Sequence, residues 1–321
     1  QILLALKKLF LHKDLIQEKT INNYQQEFNK ISLELNQLAT AKEWTDLYLK
    51  MVYWEIELES LDDPGMLEIL QNQIKEANRL FAKYISENYG NWIKNNNGPL
   101  LSNNILKEKL FPQLKSNHKK STLLLIIDNL RYDQWKIISP IIQNYYQIKE
   151  EFPYFSILPT ATHYARNAIF SGLMPLEMQK IHPDLWVNED EKSGKNLNEK
   201  SFLFSHLKRI KLDLKFNYSK ITNIKAGRDL VAKIQNYQKD DLLVVVYNFV
   251  DMISHAKTEM EIIKELASDN KAFRSLTLSW FKNSPLLEII QKASELRFDL
   301  VITTDHGTIN VDKAIEVIGT K

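Results

Sequence analysis

Hydrophobic and polar positions divide the chain into two parts with different periodicity. As far as about residue 94, apolar residues recur at helical spacing in four stretches, the first of which covers residues 1–11. Short polar breaks separate these stretches, which favours an antiparallel helical bundle. Within this bundle, Trp44, Tyr53 and Trp54 are predicted to be core residues rather than a ligand-binding cage.

After a polar break at residues 116–120, short continuous apolar runs replace the helical periodicity. The runs cover residues 121–127, 242–250 and 298–304. Runs of this kind are typical of strands buried on both faces, and the helical stretches between them predict an α/β sheet with helices on both faces. We therefore expect an all-α helical bundle over residues 13–116 and an α/β domain over residues 117–321.

Composition and charge narrow the possible classes of protein. The 321 residues are 44% hydrophobic and 26% charged, as in folded proteins, and the net charge of +2 is too small to indicate nucleic-acid or membrane binding over the whole surface. There is no cysteine, which excludes disulfides, thiolate catalysis and cysteine-ligated zinc and fits the cytoplasm. No apolar run approaches the roughly 18 residues of a membrane span, so no membrane insertion is predicted.

Each of the three apolar runs is followed directly by an aspartate, at Asp128, Asp251 and Asp305. Ligands bind beyond the carboxyl ends of parallel strands, so we expect these carboxylates to converge. Two histidines accompany them, since His255 lies four residues after Asp251 and His306 directly follows Asp305. Oxygen and nitrogen ligands without sulfur suit zinc or manganese. For any one aspartate taken alone, a helix cap or a turn is the more common role.

The segment 158–167 provides a candidate nucleophile, Thr162. A threonine at a helix start is commonly a cap, but beside a divalent cation the pKa of its hydroxyl falls enough for it to attack phosphorus. Arg131 and Arg166 are candidates for phosphate binding, with a surface ion pair as the alternative. Asn167 is a candidate for a hydrogen bond to a phosphate oxygen, or for a turn.

A basic stretch over residues 205–239 carries nine Lys and Arg against two Asp. We interpret it as a solvated face, with binding of an oligonucleotide backbone as the alternative.

Taken together, these motifs resemble the alkaline phosphatase superfamily, and within it the PglZ domain. The resemblance rests on Ile-Asp-Asn-Leu-Arg at 127–131, Leu-Pro-Thr-Ala-Thr at 158–162 and Thr-Thr-Asp-His-Gly at 303–307. It implies two zinc ions and Thr162 as the nucleophile. One ion would be held by Asp128, Thr162, Asp305 and His306, and the other by Asp251, His255 and a later histidine. No histidine follows His306 in the sequence, so we expect that ligand in a further C-terminal segment, or an incomplete second site.

The helices that come first, with Asn-Tyr-Gln-Gln-Glu-Phe at 23–28, resemble the middle part of PorX-type response regulators, which are linked to type IX secretion. This resemblance implies that residues 1–12 are the last helix of a receiver domain in a two-component system. It also implies a cognate histidine kinase, a homodimer on phosphorylation, and a transcription or secretion-system protein as partner.

The activity that these resemblances imply is a cytoplasmic, zinc-dependent phosphodiesterase acting on nucleotides, in particular cyclic or linear oligonucleotides. The alternative is a non-catalytic signalling effector that uses the same fold to bind a protein or nucleotide partner.

Overall fold

The structure is a computed structural model that describes residues 2–61, 64–116, 120–188, 194–267 and 269–309. The chain divides into two compact units, residues 1–99 and residues 100–321. A helix with the length and apolar character needed to cross a bilayer is absent from the described residues.

The first unit consists of long helices. These are α1 (Ile2–Glu34), α2 (Ala41–Glu59) and α3 (Pro64–Asn95). A capping box starts α2, because the Thr40 hydroxyl accepts a hydrogen bond from the Glu43 amide and the Glu43 carboxylate accepts one from the Thr40 amide. An N-terminal helical region is therefore confirmed.

The predicted break between the first two helical stretches is wrong, since α1 is continuous from Ile2 to Glu34. Residues 11–20 contain neither glycine nor proline, so no residue there interrupts the helix. The backbone of residues 2–12 belongs to α1, while the side chains of residues 1–14 lie outside the described set. Their assignment to a receiver domain stays a prediction.

Aromatic side chains build the core of this unit. Trp44 and Trp54 are each 6% exposed, as predicted, and the rings of Tyr24 and Trp54 pack with centroids 5.3 Å apart. The prediction for Tyr53 is wrong, because its side chain is 54% exposed. Consecutive residues on a helix point about 100° apart, and in α2 this rotation turns Tyr53 towards solvent while Trp54 faces the core.

The second unit contains a parallel sheet of four strands with the order β2-β3-β1-β4. The strands are β1 (Thr122–Ile127), β2 (Phe216–Ile221), β3 (Leu242–Tyr247) and β4 (Asp299–Thr303). The predicted strands correspond to β1, β3 and β4, although β3 ends at Tyr247 and not at Val250. The edge strand β2 was not predicted, because it mixes apolar and polar residues and has no continuous apolar run.

Helices cover both faces of the sheet, which confirms the predicted α/β class. Side chains alternate along β1, so Leu123 and Leu125 enter one hydrophobic cluster while Leu124 and Ile126 enter the other. The first face is covered by α5 (Tyr132–Ile142), α9 (Ile224–Lys233), α12 (Asn270–Lys282) and α13 (Pro285–Glu295). The second face is covered by α4 (Phe111–Ser116), α6 (Thr162–Ser171), α7 (Pro175–Ile181) and α8 (Glu199–Arg209).

Further short elements complete this unit. They are a 3₁₀ turn at Ser102–Asn104, a π-helical turn at Leu106–Leu110, a 3₁₀ turn at Ile234–Tyr237, and the helices α10 (Phe249–Glu259) and α11 (Glu261–Leu266).

The domain boundary differs from the one predicted at residue 117. The two units separate between residues 99 and 100, because the following segment belongs to the core of the sheet. Leu101, Leu106, Leu110 and Phe111 are buried in the second hydrophobic cluster. The polar composition of residues 95–104 was therefore the better boundary signal than that of residues 116–120.

Candidate metal centre

Two adjacent parallel strands bring three candidate ligands together. Asp128 follows β1 and Asp305 follows β4, and these strands pair in register, so both aspartates emerge at the same edge of the sheet. One ligand atom from each of Asp128, Asp305 and His306 can be chosen such that all three lie within 4.8 Å of one another. Both carboxylates are fully buried, and the His306 side chain is almost so.

The buried carboxylates need a cation. Burial, together with the neighbouring Asp128 carboxylate, raises the pKa of Asp305 to about 7. Asp305 Oδ1 accepts hydrogen bonds from the amides of Asn129 and His306, at 3.1 and 3.0 Å, whereas the buried Oδ2 receives none. A buried anionic oxygen without a donor is unfavourable unless a cation compensates it. The guanidinium of Arg166 lies 3.5 Å from Oδ2, but it lowers the pKa of Asp305 by less than burial and Asp128 raise it. Two carboxylates and an imidazole therefore fit a divalent ion such as zinc or manganese.

Thr162, the first residue of α6, lies beside this cluster. Its Oγ1 is 2.9 Å from Nε2 of His306 and 3.4 Å from Oδ1 of Asp128. The hydroxyl does not cap the helix, because the N-cap residue is Ala161, which makes no side-chain cap. The amino end of α6 adds positive potential at the hydroxyl. Thr160, the other threonine of the motif, is exposed.

Asp251 and His255 lie one turn apart in α10, as their spacing indicates for a helix, although β3 ends at Tyr247 and not directly before Asp251. The chain turns into α10 after β3 ends, which places Asp251 in the first helical turn. Asp251 Oδ2 is 3.6 Å from Nε2 of His255, as expected for positions i and i+4. Burial and the Asp128 carboxylate raise the pKa of Asp251, so the pair lies in the electrostatic reach of the cluster.

The second predicted metal site has fewer candidate ligands. Within the part of the chain that the structure describes, no third His, Asp or Glu forms a ligand cluster with Asp251 and His255. The segment 310–321 lies outside the described residues. A second ion at this pair therefore stays a prediction.

Arg166 lies among carboxylates. Its side chain is 1% exposed and lies one helical turn after Thr162. Nη1 donates to Oδ2 of Asp128 at 2.5 Å and lies 3.5 Å from Oδ2 of Asp305, and Nε donates to Oε1 of Glu199 at 2.5 Å. Arg166 therefore forms ion pairs, which was one of its two predicted roles, but these pairs are buried and not on the surface. Phosphate binding by Arg166 stays a prediction.

Arg131, the other predicted phosphate-binding arginine, also has protein partners. Its Nε donates to Asp133 at 2.9 Å and its Nη1 to Asn270 at 2.9 Å, and the guanidinium lies over the ring of Phe273. Arg274 contacts the same Asp133 carboxylate at 2.5 Å. The ion-pair interpretation therefore describes Arg131 better than phosphate binding, although the pair is largely buried.

The side chain of Asn167 donates its hydrogen bonds to backbone groups of the protein. Its Nδ2 donates to the carbonyl oxygens of His163 and Lys195, at 2.8 and 2.9 Å. These bonds tie α6 to the segment that precedes α8. Its predicted contact with a phosphate oxygen is not supported by this geometry.

A group of polar residues that was not predicted from the sequence surrounds Glu199, the partner of Arg166. Glu199 at the start of α8 is fully buried, and Asn196, Tyr218 and Lys220 surround its carboxylate. These are single residues in otherwise ordinary helix and edge-strand patterns, so periodicity and motif spacing carried no signal for them.

Comparison with known families decides what this chain is similar to. Residues 105–321 match the alkaline phosphatase-like PglZ domain of BREX systems. The chain belongs to the PglZ family. Residues 14–93 match the linker domain of the PorX response regulator, so the predicted PorX-like arrangement with a PglZ domain is confirmed. No curated protein matches the sequence.

The matched region contains Thr162 and the other candidate metal ligands of this sequence, which are Asp128, Asp251, His255, Asp305 and His306. Proteins of the alkaline phosphatase superfamily are generally metal-dependent hydrolases, which agrees with the cluster of Asp128, Asp305 and His306.

Proposed function

We propose that the PglZ domain is a zinc-dependent phosphodiesterase in which Thr162 is the nucleophile. The observation that carries this proposal is the position of Thr162 Oγ1, 2.9 Å from Nε2 of His306 and 3.4 Å from Oδ1 of Asp128. A hydroxyl at this position lies next to a buried anionic cluster that fits a divalent cation. A bound zinc ion would lower the pKa of the Thr162 hydroxyl and would stabilise negative charge on the phosphate oxygens.

The residues of the chain set up the displacement. Asp128 and His306 hold Oγ1 of Thr162 in one position, so that it attacks phosphorus in line with the leaving oxygen. The amino end of α6 stabilises negative charge that develops on the phosphate. The Thr162 hydroxyl gives up its proton and its oxygen bonds to phosphorus, while the bond from phosphorus to the leaving oxygen breaks and that group departs as an alcohol. Water then cleaves the bond between phosphorus and Oγ1, which releases a phosphate monoester and restores the hydroxyl.

The substrate class rests on the match to the PorX linker. Together with the PglZ fold, it supports nucleotides, and in particular cyclic or linear oligonucleotides, as substrates. A PorX-like protein is also expected in the cytoplasm, in a two-component system linked to type IX secretion. A cognate histidine kinase, a phosphorylation-dependent homodimer and a transcription or secretion-system partner belong to the same proposal, with residues 1–12 as the end of a receiver domain.

Substitution of Thr162 tests the nucleophile. We expect T162A to lose hydrolysis of an aryl phosphodiester by at least about 100-fold while it still binds zinc. The matched control is T160A, since Thr160 is exposed and lies two residues away; its turnover should stay within about twofold of the unchanged protein. Equal turnover in T162A and the unchanged protein would rule out Thr162 as the nucleophile.

A non-catalytic effector is the second candidate. The observation that favours it is the Asp251–His255 pair, which lacks a third ligand among the described residues. Metal analysis of the protein separates the two candidates. Bound zinc together with turnover supports the enzyme, whereas partner or nucleotide binding without zinc supports the effector.

A further inference from the structure

We propose that Glu199 is a positioning residue for the metal centre, acting through the guanidinium of Arg166. This inference rests on the proposed function, because it concerns the same cation and the same nucleophile. Glu199 contacts neither the cation nor the nucleophile. It holds Arg166, which in turn holds the proposed metal ligand Asp128.

One rigid group joins Glu199 to both ligand carboxylates. Nε of Arg166 donates to Oε1 of Glu199 at 2.5 Å, and Nη1 of the same guanidinium donates to Oδ2 of Asp128 at 2.5 Å. Nη1 also lies 3.5 Å from Oδ2 of Asp305. A guanidinium is planar, so fixing its Nε at Glu199 also fixes the direction in which Nη1 points.

The two oxygens of Asp128 consequently have different neighbours. Oδ2 is held by Arg166, whereas Oδ1 lies 3.4 Å from Oγ1 of Thr162 and 4.0 Å from Nε2 of His306. A carboxylate held through one oxygen cannot rotate freely. Arg166, itself held by Glu199, therefore keeps Oδ1 of Asp128 on the side where the cation and the nucleophile would meet.

Glu199 is itself fixed by three side chains. The Tyr218 hydroxyl donates to Oε2, Lys220 Nζ lies 3.4 Å from Oε2, and Asn196 Nδ2 donates to Oε1 at 3.3 Å. Tyr218 and Lys220 are two residues apart in β2 and so point to the same side of the sheet. This edge strand thus supports the helix that carries Glu199.

A second connection runs from Glu199 to the nucleophile. Nδ2 of Asn196, which donates to Glu199, also donates to the carbonyl oxygen of Thr162 at 3.1 Å. Glu199 is thereby linked both to Asp128, through Arg166, and to the backbone of Thr162, through Asn196.

The negative charge of the Glu199 carboxylate matters for metal binding, because two cations lie beside it. Arg166 contacts both proposed metal ligands, Asp128 and Asp305, and Glu199 is the counter-ion that Arg166 shares with Lys220. Without the negative charge of Glu199, the positive charge of Arg166 and Lys220 would be less compensated beside a bound metal ion. Repulsion between like charges is strong in a site with little water, so metal affinity should fall.

The test is to titrate zinc, as the only ligand, into the full chain carrying Glu199→Gln and to measure the binding by calorimetry. The amide keeps the shape of the side chain and removes its charge. We expect zinc affinity at least about tenfold weaker than in the unchanged protein, together with a loss of stability.

The matched control is Asp240→Asn. Asp240 is also buried and paired, with Lys215 Nζ at 2.8 Å and Asn217 Nδ2 at 2.7 Å, but it precedes β3, at the opposite end of the strands from Asp128. This variant should lose stability and keep its zinc affinity within about twofold. If Glu199 contributes only to stability, E199Q should behave in the same way as D240N. An unchanged zinc affinity in E199Q therefore overturns the inference.

If E199Q does not fold, Tyr218→Phe replaces it, because it removes only the hydroxyl that contacts Glu199. Zinc affinity at least about twofold weaker is then expected, and unchanged affinity overturns the inference. Failure of the proposed function gives a different result. In that case the unchanged protein itself neither binds zinc nor hydrolyses a phosphodiester, and both proposals fall together.

Discussion

Thr162 Oγ1 lies 2.9 Å from Nε2 of His306, although 144 positions separate the two residues in the chain. The parallel sheet produces this contact, because the segment that leads into α6 and the end of β4 meet at one edge. The same edge carries Asp128 and Asp305, so the proposed nucleophile and the candidate metal ligands share one small region.

Metal binding should stabilise the protein through these ligands. We expect zinc to raise the melting temperature of the PglZ domain, since a ligand that binds only the folded state stabilises it by mass action. Asp305→Asn should abolish this rise. The metal-free variant should be no less stable than the metal-free unchanged protein, because one of two adjacent buried carboxylates has lost its charge.

Thermal unfolding with zinc and with a chelator measures both effects. A zinc-induced rise that persists in D305N would remove Asp305 from the set of ligands.

His206 should make stability depend on pH. Its ring is buried, Nδ1 donates to the carbonyl oxygen of Phe170 at 3.1 Å, and Arg209 and Lys107 lie in its electrostatic surroundings. Burial, and then the charge of Arg209, lowers the pKa of His206 to about 4 from an ordinary value of 6.5. Between these pH values the unfolded chain binds a proton that the folded protein does not, so stability falls as the pH falls.

The contribution of His206 is fully present above pH 6.5 and is lost progressively towards pH 4, by up to about 3 kcal/mol. His206→Asn keeps an N–H donor at the position of Nδ1 for the Phe170 carbonyl and removes the titration. Denaturant unfolding of both proteins across this range should show the smaller pH dependence in H206N. Equal slopes would mean that His206 titrates normally.

Two glycines should respond to alanine with opposite signs. Gly172 ends α6 with φ of 65°, and a Cβ there would lie 2.3 Å from Cε1 of His206, so G172A should destabilise the PglZ domain by roughly 2 kcal/mol or more. Gly90 lies inside α3, and a Cβ there meets nothing within 4 Å. G90A should stabilise the helical unit by about 0.5–1 kcal/mol.

Denaturant unfolding, followed in the transition of each unit, checks both signs. A neutral G172A would show that the His206 ring moves aside at little cost.

Neighbouring aromatic residues in α2 should differ strongly in their contribution. Trp54 is 6% exposed and Tyr53 is 54% exposed. Trp54→Ala should therefore cost about 3–5 kcal/mol of unfolding free energy, whereas Tyr53→Ala should cost less than about 1 kcal/mol. Chemical denaturation of the helical unit measures the two values. Comparable losses of stability would contradict the finding that Trp54 is buried and Tyr53 is not.

By itself, the sequence determined the features that are local in the chain. Continuous apolar runs located β1, β3 and β4, and β1 and β3 are buried at every position, as expected of strands that are covered on both faces. Asp128 and Asp305, which follow β1 and β4, were recognised as candidate metal ligands because the carboxyl ends of parallel strands meet at one edge. The segment 158–167 provided Thr162 as the candidate nucleophile, and the family resemblance gave it the same role.

Only the tertiary structure decided which polar groups become partners. Arg166 lies 38 residues from Asp128 and 33 from Glu199, so no local pattern could show that its guanidinium joins these carboxylates. Folding buries the arginine, and a buried cation must find anionic partners within the fold. The same packing placed Tyr53 in solvent and the segment after residue 100 in the core of the sheet, because burial depends on what the rest of the chain covers.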